Sequence, residues 1–194
     1  MAKRLQCYHP EVGDQLEPPF VVFGVANAEV GPLYCGLYRG FDWFEGASLH
    51  PAGDQSRWAF EFAGPIPSGA GYTLWIGELS DSQAMLTVYP LSVFVPFVAA
   101  QLIVKYPLAN RILPANHILS YGNTATPLNQ HTLNLGGMAI PGTALRNTNG
   151  RFVVQHTAAV AGTANATINF RNSDAPMPSM VNLAVRIREV NPLA

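Results

Sequence analysis

Charge is what this sequence has least of. Only 12% of its 194 residues are Asp, Glu, Lys or Arg, against about 25% in an ordinary soluble domain. Hydrophobic residues make up 48%, so Asn, Thr, Gly and Pro carry the polarity that ions would supply. Neutral polar groups cost less to desolvate than ions, and such a surface tolerates burial against another protein. The net charge of −1 gives no general basis for binding nucleic acid. Cysteine is scarce too: Cys7 and Cys35 are the only two, and without a secretion signal the default is a pair of free thiols. Sixteen prolines and seventeen glycines, scattered throughout, exclude long helices.

The chemical motifs are missing as well. There is no Walker-type or dinucleotide-binding glycine loop, no C-x-x-C, no H-E-x-x-H and no G-x-S-x-G elbow. His117, His131 and His156 are far apart in sequence and include no His-x-His pair, so no metal ligand set is expected. The acids Asp42, Glu45 and Asp54 fall in one loop, "GFDWFEGASLHPAGD", without a spacing diagnostic of paired-carboxylate catalysis. A triad through these histidines has only Asp174 as a loop carboxylate in that half. The expectation is therefore no enzyme, no cofactor and no metal.

One neutral run is long. From Ser82 to Val104 there is no charged side chain, a length that could cross a bilayer as a helix. Pro90 and Pro96 lie inside it and each removes a helical hydrogen bond, while its Val, Phe, Thr and Tyr content favours strand. It reads as a closing strand, a proline-punctuated crossover and an opening strand, not as a membrane span. Phe94 and Phe97 in this seam are expected to be buried or to mark an assembly interface.

What is present divides at that seam. Residues 1–100 hold ten acids and four bases, a net of −6; residues 101–194 hold two acids and seven bases, a net of +5. All three Trp precede residue 76. Two domains, 1–95 and 96–194, explain this more easily than one.

Short apolar alternations between turn signals mark both halves as all-β. In "RWAFEFAG" Trp58, Phe60 and Phe62 share one face; in "YTLWIGEL" Tyr72, Leu74 and Ile76 point inward and Thr73 and Trp75 outward. "PFVVFGVA" and "LYCGLYRG" are further strands. In the second half "TANATINF" and "VNLAVRIREV" alternate cleanly, "HTLNL" and "RFVVQ" are shorter strands, and "SYGNTATPLNQ" and "GGMAIPGTALRNTNG" read as linking stretches. No internal repeat between the halves is visible.

The order "PPFVVFGVA … RWAFEFAGPIPSGAGYTLWIGEL … MLTVYPL", over about residues 12–93, resembles the bacterial immunoglobulin-like domains. The resemblance implies a sandwich in which Tyr72 serves as a tyrosine corner. It also implies a binding or spacer module of the kind found on cell surfaces, in carbohydrate-active enzymes and on phage virions. Residues 105–194 resemble no family; a second β-sandwich or a jelly-roll-like domain is expected there.

The interaction candidates are aromatic or cationic. Trp43 and Phe44 sit in the acidic stretch, Trp75 faces away from the core, and Arg186 and Arg188 share the outward face of the last strand, where they would also guard a sheet edge. The combined expectation is an all-β structural protein. The leading form is a phage virion component of capsid-decoration or head-fibre type, which docks by one domain, the charge-poor second, and displays the other. Its partners would be other virion subunits, further copies of itself as a homo-oligomer, or a host-surface glycan. The first residues, "MAKRLQCYHPEVGDQ", lack the apolar stretch of an ordinary signal peptide, so synthesis in a host cytoplasm and residence in the virion are expected. The alternative is a cell-surface adhesin or carbohydrate-binding module.

Overall fold

Alternating apolar side chains make half-buried strands, and strands are the regular structure of the described residues. A computed structural model describes residues 5–11, 14–27, 31–50, 56–78, 85–91, 102–172 and 179–190. Every helix or strand among them is a strand, and no helix is long and apolar enough to cross a membrane. The chain divides into two compact units, residues 1–96 and 97–192. Phe94 and Phe97, the seam candidates, lie outside the described residues, as do Asp54 and Asp174.

The first unit contains β1 (Leu5–His9), β2 (Phe20–Ala26), β3 (Tyr34–Arg39), β4 (Asp42–Glu45), β5 (Ala47–Ser48), β6 (Arg57–Phe62), β7 (Gly69–Gly77) and β8 (Met85–Leu91). They form two four-stranded sheets, ordered β1-β2-β6-β5 and β4-β3-β7-β8. All pairings are antiparallel. This is the immunoglobulin-like order, in which the chain repeatedly changes sheet and so closes one core between two layers. Phe20 and Phe62 stack in that core at 5.0 Å between ring centroids. Leu37, Tyr72, Leu74 and Ile76 face them from the other sheet, all but sealed from solvent. Burial of each such side chain stabilises by about 1.5–3 kcal/mol.

Tyr72 opens the buried stretch of β7, and its hydroxyl donates to the Pro67 carbonyl at 2.7 Å. That bond ties the corner between β6 and β7, the tyrosine corner that the resemblance implies. β2 departs from simple alternation. All seven of its residues are buried, because the rings of Tyr8 and His9 pack on Phe23 at 6.4 and 6.1 Å and cover its outer side. A strand covered on both faces reads as a continuous apolar run, which is what "FVVFGVA" is.

The second unit contains β9 (Ile103–Tyr106), β10 (Ile112–Pro114), β11 (Ile118–Asn123), β12 (Gln130–Leu135), β13 (Met138–Pro141), β14 (Thr143–Thr148), β15 (Arg151–His156), β16 (Thr163–Asn172) and β17 (Ser179–Arg188). Its sheets run β14-β15-β11-β9 and β10-β17-β16-β12-β13. β10 pairs parallel with β17; the other ladders are antiparallel. Phe152 and Phe170 meet across the core at 5.3 Å, beside Leu113, Ile118, Leu133, Ile168 and Ile187. A closed polar plug seals one end: the Asn172 amide donates to Thr124 Oγ1 at 2.8 Å and accepts from Thr126 Oγ1 at 2.7 Å. The sheet order identifies a sandwich of the same class as the first unit, and the jelly-roll alternative drops out.

The repetition that the sequence hides is topological. β1-β2-β6-β5 and β9-β11-β15-β14 occupy the same places in their units. Each second position carries a glycine, Gly24 or Gly122, paired with the opening aromatic of its neighbour, Trp58 or Phe152. A Cβ at either glycine would run into the backbone carbonyl oxygen of the first strand, at Gln6 or at Ile103. Close approach of two backbones, not residue identity, is what the two halves share.

Three readings change. The acidic stretch around Trp43 is not simply a loop: Asp42–Glu45 forms a hairpin with β3, and Ala47–Ser48 pairs with β6 in the other sheet. The stretches "SYGNTATPLNQ" and "GGMAIPGTALRNTNG" contribute to β11, β13 and β14, because Thr, Ala, Asn and Pro in strands carry no apolar alternation to see. The last strand, β17, is not an edge: β10 covers that side, so Arg186 and Arg188 guard no edge.

Candidate functional site

The first unit presents an aromatic sheet face. In β3 alternation turns Cys35 and Leu37 into the core and Tyr34, Gly36 and Tyr38 outward. Pairing carries the same outward face to Trp43 and Glu45 of β4, opposite Tyr38 and Gly36. On the other side it reaches Thr73 and Trp75 of β7, opposite Tyr38 and Gly36. Gly40, with φ +62°, and Phe41 close the β3–β4 hairpin, and only a residue at ease in the left-handed region suits that turn. Phe41 stands free at its tip, fully exposed.

Gly36 is the slot on which the face is organised. A Cβ there would overlap the indole ring of Trp43, so the missing side chain lets Trp43 lie across the sheet. Its ring meets that of Trp75 at 6.1 Å and 63°, an edge-on pair. Trp43 remains 48% exposed and Tyr34 39%, with Trp75 half-buried beside Trp43. Both Trp43 and Trp75 therefore lie on one surface. Phe44 does not: it points inward, its ring 6.1 Å from Tyr72, and contributes to the core. Trp58 is core as well. Tyr34, Tyr38 and Phe41 complete the surface without having been singled out from the sequence. "LYCGLYRGF" carried the alternation needed to find the two tyrosines, and its glycine turn the signal for the phenylalanine.

Beside this face a cleft of about 350 Å³ opens between β3 and β6, lined among others by Tyr34, Cys35, Glu45 and Phe60. Cys35 is no nucleophile there, because burial pushes its thiol well above the ordinary range. Cys7 is likewise pushed up, to about 12, chiefly by burial. Both cysteines are free thiols.

In the second unit the outer face of β10-β17-β16-β12-β13 is neutral and polar with a cationic stripe. β16 turns Thr163, Asn165, Thr167, Asn169 and Arg171 outward; β17 turns out Met180, Asn182, Ala184, Arg186 and Arg188. Register sets Asn165 beside Arg186 and Thr163 beside Arg188. Gln130, Thr132 and Asn134 extend the face across β12. Arg186 and Arg188 are exposed, and so is Arg171.

The histidines face inward instead. His131 pairs with Phe170, and His156 with Ile118, on the inner sides of their sheets. Burial holds the His156 imidazole down to about 4, with the His131 backbone and ring as lesser influences, and it lowers His131 too. Among the described residues no three His, Cys, Asp or Glu side chains group as a metal site.

No family model matches the chain, and no curated protein matches it. Among solved structures it is similar to the Ig tandem domains of titin, at 13% identity over 91% of either chain, with a TM-score of 0.28. It is similar also to the fibronectin(III)-like modules of Clostridium thermocellum CbhA, at 13% identity over 96% of this chain and 95% of that one, TM-score 0.27. A third is the SGBP-B protein of a Bacteroides ovatus mixed-linkage glucan utilization locus, at 12% identity and TM-score 0.27; this chain spans 45% of its length. The assignment to the immunoglobulin-like class rests on the sheet order of the chain itself.

Proposed function

We propose that this protein is a non-catalytic assembly subunit, a virion component of capsid-decoration or head-fibre type that docks by its second domain and displays the first. The observation that carries the reading is the β4-β3-β7 face, where a half-exposed Trp43 lies across Gly36 against Trp75 and beside Tyr34, with Phe41 free at the hairpin tip. Exposed aromatic clusters of this kind anchor protein interfaces. The two indoles cross at 63°, so they form an edged anchor for a protein pocket more readily than a flat platform for a sugar ring. The low charge of the second domain, two acids and seven bases in residues 101–194, keeps the cost of burying its neutral surface low. Strongly raised thiols, Cys35 buried and Cys7 half-buried, and inward histidines supply no poised nucleophile or base.

Cosedimentation with capsid shells prepared without this protein tests the reading. Saturable binding of the purified chain is the expected result, and absence of binding to any such shell refutes it. The second reading, a glycan-binding module, is favoured by the exposure of Trp43 alone. Clear binding on a glycan array, lost in Trp43→Ala and accompanied by no shell binding, would replace the first reading by the second.

A further inference from the structure

The face of the second unit has the makeup of a protein contact and lacks an obvious use for solvent. Arg171, Arg186 and Arg188 rise from a field of Asn, Thr and Ala, with Met180 64% and Ile112 38% exposed at its borders. None of the outward residues that the ladders place on it is an acid. Interface cores favour Arg and Met and disfavour Lys, Asp and Glu, a preference this face follows in its charged residues and at Met180. Five strands about 4.8 Å apart and up to about ten residues long span roughly 20 by 30 Å, on the scale of the ~800 Å² that each partner gives to a standard interface.

We propose that this face docks the first unit of a second copy of the chain, through Arg171, Arg186 and Arg188 on one copy and the β4-β3-β7 face on the next. The proposal rests on the assembly reading above and adds to shell docking a contact between neighbouring copies. Charge complementarity carries it: residues 1–100 are net −6 and residues 101–194 net +5. Glu45 is exposed on the same side of β4 as Trp43, and Asp42 is exposed at the hairpin end of that strand. Carboxylates pair with the guanidinium groups, and the exposed rings of Trp43 and Tyr34 receive them face-on as cation–π partners. Two like faces cannot do this, since three Arg would meet three Arg. The contact is therefore heterologous, each copy using one surface to give and another to receive, and it joins copies head to tail.

Sedimentation velocity on the full chain tests it. Wild type should form species that grow with concentration and shrink between about 50 mM and about 500 mM NaCl. R186E/R188E, with one surface blocked, and D42N/E45Q, with the other neutralised, should each weaken self-association by about tenfold or more. Mixed together, they should form one-to-one pairs that stop growing. The combined variant D42K/E45K/R186E/R188E, with the charges exchanged, should assemble again, a result that misfolding cannot imitate. A wild type that stays monomeric at every concentration, R186E/R188E that assembles like wild type, or an exchanged variant that stays monomeric overturns the proposal. Shell binding without self-association overturns this contact and leaves the assembly reading in place. Self-association without shell binding does the reverse.

Discussion

His156 makes the stability of the second unit depend on pH in a way that can be worked out beforehand. The imidazole ends β15 on the inner side of its sheet, almost wholly buried, with Gly142 beside it. Burial holds its pKa near 4 against an ordinary 6.5. Above 6.5 the ring is neutral in folded and unfolded chains alike, and pH has no hold on stability through it. Between 6.5 and 4 the unfolded chain takes up a proton that the folded chain refuses, so stability falls as pH falls. The full difference is about 3 kcal/mol, most of which is lost by pH 4.5. Carboxylates add little to this slope, since residues 101–194 contain only Asp174 and Glu189. All three Trp lie in the first unit, so indole fluorescence does not report on the second. Native-state hydrogen exchange of β11 and β15 amides does. Expected is a loss of about 2–3 kcal/mol in opening free energy from pH 7 to 4.5 in wild type, and a much flatter profile in His156→Leu. Equal slopes in the two proteins would refute the assignment of this pH dependence to His156.

Three further outcomes follow from other parts of the fold. Tyr72→Phe removes the donor to the Pro67 carbonyl and should cost the first unit about 1–2 kcal/mol in urea unfolding followed by Trp fluorescence; an unchanged midpoint would deny the corner its role. Gly24→Ala and Gly122→Ala each drive a Cβ into a backbone carbonyl that has little room to yield. Each should destabilise its own unit by about 2 kcal/mol, read by fluorescence for the first and hydrogen exchange for the second. Cys7, held at about 12, and Cys35, likewise pushed well up by burial, should resist iodoacetamide at pH 8 in the folded protein and react at once in denaturant.

Part of this was legible without coordinates. Period-two apolarity in "RWAFEFAG", "YTLWIGEL", "TANATINF" and "VNLAVRIREV" exposes the strands that have one face in the core and one outside, because a core makes that contrast in the side chains themselves. The same alternation pointed Trp75 outward. It could not help where both faces share a character: β2 is apolar on both, whereas β13 and β14 hold mostly exposed small or polar residues and read as loops. β4 was missed for a related reason, since Trp43 and Phe44 are adjacent aromatics that only the pairing with β3 sends to opposite faces.

The sequence by itself determined the class, all-β with a change of character near residue 100, because turn residues, strand period and charge are local properties. Only the tertiary structure decided which residues meet. Whether Trp43 reaches Trp75 depends on an absent side chain at Gly36, two strands being held in register over it. Whether Arg186 and Arg188 stand at an edge depends on β10 running parallel beside them. That the two halves repeat one sheet order depends on strand neighbours far apart along the chain. Register and neighbour are relations between distant segments, and no local pattern encodes them.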